Sequence, residues 1–547
     1  DVEAASHPAM TVIAQENPGK RKRVLLVRDS RTALAHTAAL FFGHPSKEMT
    51  LVGVTGTNGK TTISWILESI FNACGFKCGV IGTVNIRYPG KIEDNPITTP
   101  DAIILQQALA QMKAAGVTHV IMEVSSHGLA QHRVDGCSFS AGIFTNLTQD
   151  HLDYHPDMEA YFSCKKSFFT DFIQPQNAFS VINTDDDYGR RLHDTISGAK
   201  KSVGTSSKAD IRAQDIHDDI AGLTGTLVLE NDRLGLVSAL TGRFNLENIL
   251  CAAGAAHVLG IAPEKIRQGL ESCSRIPGRL EKVPNAINRH IFADYAHTPD
   301  ALKSILTTLK ERAPKRLITV FGCGGDRDRT KRGPMGKIAC KYSDLAIVTS
   351  DNPRTEDPDR IVQDIVQGIR EDSIPEVSPG FPAPGDPAEF KKGFMVHVDR
   401  KKALEKAVMV SRPQDIIVAA GKGHETYQIT NAGTIHFDDR EELHRACRAF
   451  ESRFRPMPWS LDDLAHALGQ APLVSSLKEQ AWFSKISTDS RTIRQDQVFL
   501  ALKGENFDAH KFIPDLVQKG IKVFVAQENL FSSVQIETLA VEREFAL

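Results

Sequence analysis

Charge of one sign and long apolar runs are both missing from this sequence of 547 residues. Its 65 Lys and Arg nearly balance 67 Asp and Glu, which leaves a formal net charge of -2. A general nucleic-acid binder usually shows a strong basic excess, so this class is excluded. No apolar run is long enough to cross a bilayer. We therefore expect neither a nucleic-acid partner nor a membrane span.

Cysteine is sparse as well. The nine Cys are scattered, and no Cys-x-x-Cys pair occurs among them; examples are Cys74, Cys78, Cys137 and Cys164. Such a distribution is typical of reduced thiols and not of a disulfide scaffold. We therefore expect a cytoplasmic protein.

The sequence contains what an α/β protein needs. With 41% hydrophobic and 24% charged residues, the chain is globular, and its length predicts about three to four domains. Apolar β-branched runs alternate with helical stretches, which predicts parallel sheets covered by helices. The expected strands include 50–54, 118–123, 142–146, 316–321, 345–349 and 415–420. A Pro-rich surface loop is expected near 373–386, and the pattern restarts at Met457.

The clearest motif is Val54-Thr55-Gly56-Thr57-Asn58-Gly59-Lys60-Thr61-Thr62, which follows an apolar strand and precedes a helix. Backbone N–H groups of such a loop and the positive helix end bind phosphate oxygens. Val54 stands where the strict pattern has its first Gly. We predict a nucleoside triphosphate site, in which Lys60 reaches the terminal phosphates and the Thr61 hydroxyl meets Mg²⁺.

Two further polar clusters follow expected strands. Glu123 comes after one strand, where a carboxylate is costly unless it meets a metal or a partner, and His151 comes after the next. Strand ends of open α/β sheets point into the ligand crevice. Glu123 and His151 are therefore candidate ligands of a second metal near the γ-phosphate.

These motifs together resemble the Mur ligases, the ATP-dependent amide-bond ligases of peptidoglycan precursor synthesis. The resemblance rests on the phosphate loop, Glu123–His127, Asp150–His155 and Gly242–Asn245, and it extends from about Thr11 to Phe450. It implies a central P-loop ATPase-type parallel-sheet domain at 46–276 and a Rossmann-like C-terminal domain at 277–456. Residues 1–45 would be the remnant of an N-terminal UDP-binding domain.

The resemblance also assigns roles to residues. Lys165 matches the family's carbamylated lysine, whose carbamate would act as a carboxylate-like metal ligand. The implied catalytic set is Lys60, Lys165, His151 and Glu123, and the implied metal set is Thr61, Glu123, His151 and carbamylated Lys165. ATP would contact Gly56, Thr57, Asn58, Gly59, Lys60, Thr61, Thr62, Asn245 and Arg279. The muramoyl-peptide would contact Thr98, Thr99, Ser125, Gln131 and Arg133.

The segment Asp351–Arg354 matches the form associated with meso-diaminopimelate ligases. A guanidinium can hold the extra carboxylate of diaminopimelate in a bidentate manner, whereas lysine would leave Arg354 unpaired. The implied amino-acid site comprises Arg327, Asp351, Asn352, Pro353, Arg354, Gly421 and Glu425, with Glu425 pairing with the substrate's ammonium.

The resemblance thus implies a ligase that uses ATP and Mg²⁺ to add meso-diaminopimelate to UDP-N-acetylmuramoyl-L-Ala-D-Glu through an acyl phosphate. Contact with other enzymes of precursor synthesis is compatible with this role. Two alternatives stay open: a folylpolyglutamate synthase-like ligase, and a nucleotide-binding module that is inactive through truncation.

The last 91 residues, 457–547, do not fit the end of such a ligase. The segments 487–493 and 498–510 resemble the small α/β UDP-binding domain that opens a Mur ligase. A circular permutation would move this domain, whereas a fusion would duplicate it. Ala-Gln-Glu-Asn occurs at both 14–17 and 526–529, which favours a fusion. The sequence of residues 502–508 is more similar to the Mur ligase that adds D-Ala-D-Ala in the following step.

Overall fold

The structure is a computed structural model, and it describes residues 12–15, 24–152, 154–313, 315–377, 392–454, 485–495, 497–504, 507–521, 523–527 and 538–541. The chain divides into two compact units, Asp1–Cys447 and Arg448–Leu547. The expected restart at Met457 and most of the Pro-rich loop lie outside the described residues.

The first unit opens with a strand pair and a helix. β1 (Val12–Ala14) pairs in parallel with β2 (Val24–Leu26), and α1 (Ser30–Phe41) follows. The side chain of Asp29 accepts the N–H of Thr32 at 2.8 Å, so α1 begins with a carboxylate cap.

An eleven-stranded sheet comes next. Its strands are β3 (Thr50–Thr55), β4 (Cys78–Ile81), β5 (Asn85–Tyr88), β6 (Lys91–Asp94), β7 (His119–Glu123), β8 (Ala141–Phe144), β9 (Phe179–Asn183), β10 (Lys200–Gly204), β11 (Ile211–Asp219), β12 (Gly222–Leu229) and β13 (Asp232–Ser238). The order is β13-β12-β11-β10-β9-β8-β3-β7-β4-β5-β6. The strands from β11 to β4 in this order are parallel, and antiparallel ribbons extend both ends.

Helices cover both faces of this sheet. They are α2 (Lys60–Ala73), α3 (Ala102–Ala114), α4 (Ser126–Ala130), α5 (Met158–Ser167), α6 (Asp187–Thr195), α7 (Arg243–Val258) and α8 (Pro263–Ser272). Side chains of β3 alternate between two cores, because successive strand residues point to opposite faces. Val52 packs in the core that contains Ile66 of α2, and Leu51 packs in the core that contains Leu109 of α3.

The second sheet of this unit has six strands. The elements are β14 (Glu281–Lys282), β15 (His290–Asp294), α9 (Pro299–Arg312), β16 (Leu317–Phe321), α10 (Arg332–Tyr342), β17 (Leu345–Val348), α11 (Pro358–Glu371), β18 (Gly393–Val396), α12 (Arg400–Val410) and β19 (Ile416–Ala420), followed by the hairpin β20 (Tyr427–Thr430) and β21 (Gly433–His436) and by α13 (Asp439–Phe454). The order is β14-β15-β19-β16-β17-β18, and all pairs except β14-β15 are parallel. The carboxyl ends of these parallel strands therefore share one edge.

The second unit is a four-stranded parallel sheet. It contains β22 (Lys485–Ser487), β23 (Gln497–Leu500), α14 (Ile513–Gln518), β24 (Val523–Gln527) and β25 (Thr538–Val541), with the strands in chain order. In both units, the strand that carries the start of the Ala-Gln-Glu-Asn repeat pairs in parallel with the strand that follows it. The offset differs: Ala14 pairs with Leu26, 12 residues further on, whereas Ala526 pairs with Ala540, 14 residues further on.

The expected multidomain α/β architecture with parallel sheets is confirmed. The antiparallel ribbons were not predicted. One of their strands, β13, alternates between exposed and buried residues, and its sequence from Arg233 to Leu236 alternates accordingly. All nine cysteines are free thiols. Within the described ranges, no helix combines the length and apolarity that a bilayer crossing needs.

Candidate functional site

The phosphate loop joins the end of β3 to the start of α2, and two glycines make its shape possible. Gly56 has a φ of +147° and Gly59 a φ of +91°, a region that favours glycine. A Cβ at Gly56 would collide with the hydroxyl of Thr145, and one at Gly59 with the amide oxygen of Asn248. Both positions therefore require glycine for conformation and for space.

The loop is anchored to the segment that follows β8. Asn58 donates its N–H to Oδ1 of Asn146 at 2.9 Å, and Thr57 donates its N–H to the carbonyl of Asn146 at the same distance. The hydroxyl of Thr57 lies 3.2 Å from that of Tyr161 on α5. The backbone of the loop is therefore held rigid before any phosphate binds.

Two lysines converge on one carbonyl of the loop. Lys60 Nζ donates to the carbonyl oxygens of Gly56 and Thr57, each at 2.8 Å, and Lys165 Nζ donates to Gly56 O at 2.9 Å. Burial lowers the pKa of both amines; Glu123 and Asp150 oppose this shift at Lys60. Lys60 at the start of α2 and the positive end of that helix favour an anion of high charge, such as a polyphosphate.

Lys165 has the environment that carbamate formation needs. Its side chain is buried, and Nζ lies 4.8 Å from the ring centre of Tyr161. Burial, and then the charge of Lys60, hold the pKa of Lys165 well below its usual range. An amine attacks CO₂ only as the neutral base, so this shift supports the predicted carbamylation.

Glu123 ends β7 as a buried carboxylate held by neutral donors. Its oxygens accept hydrogen bonds from Thr61 Oγ1 at 3.2 Å, from Thr83 N at 3.2 Å and from Thr83 Oγ1 at 2.8 Å. In the part of the chain that the structure describes, no Lys or Arg forms an ion pair with it. A buried carboxylate in this state is costly. The Thr61 hydroxyl and the Glu123 carboxylate are oxygens of the kind that Mg²⁺ takes, so this pair fits the expected ion.

The rest of the predicted metal set is less complete. Among the described residues, no group of three or more His, Cys, Asp or Glu side chains is placed to hold a metal ion. As an ammonium, Lys165 would repel a cation, and only its carbamate would add an oxygen ligand. The roles of His151 and Lys165 as ligands therefore stay predictions.

His151 follows β8 in a left-handed conformation, with a φ of +55°. Its N–H donates to Asp150 Oδ1 at 2.9 Å, and its ring lies 5.0 Å from that of His127. Burial, reinforced by Lys60 and Lys165, lowers the pKa of His151 to about 4 despite Asp150. The imidazole is therefore neutral at physiological pH.

The residues predicted to contact the muramoyl-peptide form one hydrogen-bonded group. Thr99 Oγ1 donates to Glu123 O at 2.8 Å and lies 3.0 Å from Ser125 Oγ. Arg133 donates to Thr99 O at 2.7 Å and to Gln131 Oε1 at 2.6 Å. Thr98 Oγ1 lies 3.0 Å from Thr83 Oγ1, which in turn donates to Glu123. The structure thus brings all five residues beside the phosphate loop.

A cavity of about 740 Å³ lies between the loop and α9. It is lined by Asn58, Gly59, Thr62 and Arg279, among others. Arg279 donates to Thr61 Oγ1 at 3.2 Å and covers the ring of Tyr295 at 4.7 Å. This cavity fits a nucleotide whose phosphates rest on the loop.

Of the nine residues predicted to contact ATP, five do not line this cavity: Gly56, Thr57, Lys60, Thr61 and Asn245. Asn245 is buried on α7, donates to Thr241 O at 2.7 Å, and lines a neighbouring cavity of about 750 Å³. Asn248, about one turn later on the same helix, lines the nucleotide cavity and donates to Asn245 Oδ1 at 3.4 Å. The sequence had indicated the helix correctly, but it had not indicated Asn248.

A third cavity, of about 500 Å³, is lined by residues that follow strands of both sheets of the first unit. Asp150 and His151 line it from the first sheet. From the second sheet come six of the seven residues predicted for the amino acid: Arg327, Asp351, Asn352, Arg354, Gly421 and Glu425. Pro353 does not line the cavity; its carbonyl accepts the N–H of Glu356 at 3.0 Å. We call this space the amino-acid cavity.

The charged groups of the amino-acid cavity are already partly paired. Arg354, at a φ of +53°, donates through Nη1 to Gly325 O at 2.8 Å. Glu425 Oε2 accepts from Asn352 Nδ2 at 2.9 Å and from Lys422 Nζ at 3.2 Å. Burial raises the pKa of Glu425, and Lys422 opposes this shift. Glu425 thus has a protein partner in addition to the predicted ammonium.

Sequence reasoning missed several side chains of the site. Thr83 holds Glu123, Lys422 holds Glu425, and Lys331 and His297 line the amino-acid cavity. Lys422 had a sequence signal, because it directly follows the apolar run of β19 and Gly421. Thr83 had none, since a lone threonine after a short strand is unremarkable in sequence.

Three family models match the chain. The Mur ligase middle domain matches residues 54–256, the Mur ligase glutamate ligase domain matches 278–423, and the Mur ligase family catalytic domain matches 483–544. The first match contains the phosphate loop, the second contains the predicted amino-acid residues from Arg327 to Gly421 but not Glu425, and the third falls in the second unit.

Individual proteins are similar over most of the chain. The UDP-N-acetylmuramoyl-L-alanyl-D-glutamate--2,6-diaminopimelate ligase of Geobacter metallireducens is 46% identical over 439 residues, which cover 78% of this chain and 84% of that protein. A solved structure of a ligase with this name is 33% identical, with a TM-score of 0.56, and the match covers 81% of this chain and 87% of that one. Folylpolyglutamate synthase of Mycobacterium tuberculosis, solved with ADP and AMPPCP, has a TM-score of 0.57 at 16% identity, over 71% of this chain and 92% of that one; this likeness concerns the fold alone.

Proposed function

Because the chain belongs to the Mur ligase family, we propose that it adds meso-diaminopimelate to UDP-N-acetylmuramoyl-L-Ala-D-Glu at the expense of ATP. The observation that supports this proposal most is the amino-acid cavity. It places Arg354, Asp351 and Glu425 within one space that also reaches His151 beside the phosphate loop. A guanidinium and two carboxylates complement an amino acid that carries both a carboxylate and an ammonium at its distal end.

The first chemical step forms an acyl phosphate. An oxygen of the substrate's terminal carboxylate attacks the γ-phosphorus of ATP, the bond to the bridging oxygen breaks, and ADP leaves with that electron pair. Lys60 and the N–H groups at the start of α2 would hold the phosphoryl oxygens, so that most of the acceleration comes from positioning and charge. Thr61 and Glu123 would hold Mg²⁺, which supplies positive charge next to the phosphates.

The second step forms the amide. The amine of meso-diaminopimelate attacks the acyl carbon, loses its proton and gives a tetrahedral intermediate, from which inorganic phosphate leaves. Arg354 would hold the distal carboxylate, and Glu425 and Asp351 the distal ammonium. Thr99, Ser125 and the residues bonded to them would orient the muramoyl-peptide. A carbamylated Lys165 would complete the metal site.

We place this reaction in the cytoplasm. The nine free thiols agree with a reducing compartment, and ATP and a UDP-linked precursor are cytoplasmic substrates. Contact with other enzymes of precursor synthesis stays a prediction.

An ADP-release assay tests the proposed function. We expect ADP release only when UDP-N-acetylmuramoyl-L-Ala-D-Glu and meso-diaminopimelate are both present. Lysine should be used at least about 100-fold less efficiently, because a site built for a polar group rejects the analogue that lacks it. ADP release without any amino acid would favour a nucleotide-dependent module. Release with folate and glutamate would favour a folylpolyglutamate synthase.

We further propose that the second unit is the first domain of another Mur ligase, fused behind the first and closest to the D-Ala-D-Ala-adding type. The family match at 483–544 and the second copy of Ala-Gln-Glu-Asn at 526–529 support this proposal. A permuted single ligase would not carry the same segment twice.

Mass spectrometry of the protein isolated from its source tests the fusion. We expect peptides of a second phosphate loop on the same polypeptide, beyond the sequence of 547 residues. A native polypeptide that ends near Leu547 and has a single phosphate loop would contradict it.

A further inference from the structure

A buried lysine lies directly behind the amino-acid cavity. The side chain of Lys422 is fully buried, and Lys422 does not line the cavity itself. Its Nζ lies 3.2 Å from Glu425 Oε2 and 3.6 Å from Asp351 Oδ1, and both acids do line the cavity. An ammonium in this position is costly unless its neighbours compensate it.

Lys422 also fixes the orientation of an amide. Its Nζ donates to Asn352 Oδ1 at 3.2 Å, and Ile429 donates its N–H to the same oxygen at 2.9 Å. Two donors at one oxygen place the NH₂ group of Asn352 on the opposite side, where it donates to Glu425 at 2.9 Å. One lysine therefore sets the position of three residues of the cavity wall.

The charge balance of this cluster is specific. Asp351 and Glu425 contribute two negative charges and Lys422 one positive charge, which leaves one negative charge unbalanced. A single ammonium, such as the one at the distal end of diaminopimelate, restores neutrality. Without Lys422, two neighbouring carboxylates would face one ammonium, and such a pair shares a proton.

We propose that Lys422 is a positioning residue for amino-acid specificity, which holds Asp351, Asn352 and Glu425 in the geometry and net charge that match one distal ammonium. This inference rests on the proposed function and adds to it a residue that does not touch the substrate. Lys422 acts through the two acids and the amide.

The test compares Lys422→Met, which keeps the length of the side chain and removes its charge, with the wild-type enzyme. We expect the KM for meso-diaminopimelate to rise about tenfold or more, the size of a lost coupling in a buried charge network, while the KM for ATP changes little. Lys406→Met is the matched control. Lys406 lies on α12, next to the second sheet, and is also buried, but it does not line the amino-acid cavity.

A pH profile adds a readout that a merely structural role would not change. Burial already raises the pKa of Glu425, and loss of Lys422 raises it further. Below that raised pKa the two acids of Lys422→Met share a proton and keep one unbalanced negative charge, whereas above it they carry two, so the KM of Lys422→Met should rise as the pH increases through it. Apart from Lys422, the ionisable groups that interact with Glu425 are Asp351, Tyr295, Tyr427 and Arg400. The variant retains all four.

A double variant separates charge balance from folding. Lys422→Met/Asp351→Asn again has one unbalanced negative charge, so we expect it to recover part of the lost affinity and to fold even if Lys422→Met does not. No recovery in the double variant, or a wild-type KM and pH profile in Lys422→Met, would overturn the inference while the proposed function stands. Failure of the wild-type enzyme to release ADP with meso-diaminopimelate would instead overturn the proposed function.

Discussion

The phosphate loop and the amino-acid cavity are built in opposite ways. The loop is one continuous segment, and Lys60 at its end rests on the carbonyl oxygens of Gly56 and Thr57. The cavity draws on separate segments of both sheets, and its charges are partly paired, as Glu425 is with Lys422 behind the cavity wall. The loop thus offers a lysine and a helix N-terminus to a polyanion. The cavity carries charges of both signs and discriminates by geometry.

This difference predicts what a substitution does at each site. Removal of the lysine from the phosphate loop should abolish the reaction. Removal of one charge from the amino-acid cavity should change the preference among amino acids, since the remaining groups adopt new partners. The following substitutions sharpen or break the comparison.

The largest effect is expected for Lys60→Ala. Removing the cation that we propose to hold the transferred phosphoryl group should lower kcat by at least about 100-fold, as the loss of a transition-state donor does. Single-turnover measurement of ADP formation checks this. The matched control Lys113→Ala removes an exposed lysine of α3 and should retain wild-type kcat. Unchanged turnover in Lys60→Ala would refute the assignment of the loop.

A smaller effect, confined to one substrate, is expected for Arg354→Met. We expect the KM for meso-diaminopimelate to rise by about 30-fold, because truncation of a buried charged contact costs about 2–5 kcal/mol and the half-buried Arg354 falls at the lower end of that range. The preference over lysine should fall with it. Steady-state kinetics with both amino acids measure this, with Arg360→Met on the exposed side of α11 as the control. An equal loss for both amino acids would mean that Arg354 does not read the distal carboxylate.

The smallest effect concerns His424 and the pH dependence of the free energy of unfolding. Burial, with Arg279, Arg440 and His297, lowers the pKa of His424 to about 3, whereas an unfolded histidine titrates near 6.5. The unfolded chain therefore binds the extra proton first, and stability should fall as the pH drops from about 6.5 towards 3.

Thermal unfolding at pH 7.5 and 5.5 measures this contribution of His424. The loss of thermal midpoint on acidification should be smaller in His424→Gln than in the wild-type protein. His217→Gln, at an exposed position of β11, should keep the wild-type loss. The same loss in all three proteins would show that His424 does not titrate on unfolding.

The sequence was sufficient where function follows from contiguous backbone. Gly56, Gly59 and Lys60 were predicted because a strand, a Gly-rich turn and a helix leave little freedom for the loop. The amino-acid residues were named only through a resemblance, since nothing local brings Arg327 to Glu425. Thr83 and Asn248 escaped prediction because their contacts depend on tertiary packing and rotamers. The antiparallel ribbons escaped prediction because exposure alternates regularly in β13 but not in its partner β12.

The central claim is that the phosphate loop and the amino-acid cavity serve one ligation through an acyl phosphate. Positional isotope transfer tests it most directly, with UDP-N-acetylmuramoyl-L-Ala-D-Glu carrying ¹⁸O in the reacting carboxylate. The account predicts that one ¹⁸O appears in the inorganic phosphate released with each amide formed, because that oxygen attacked the γ-phosphorus. Amide formation with unlabelled phosphate would contradict it.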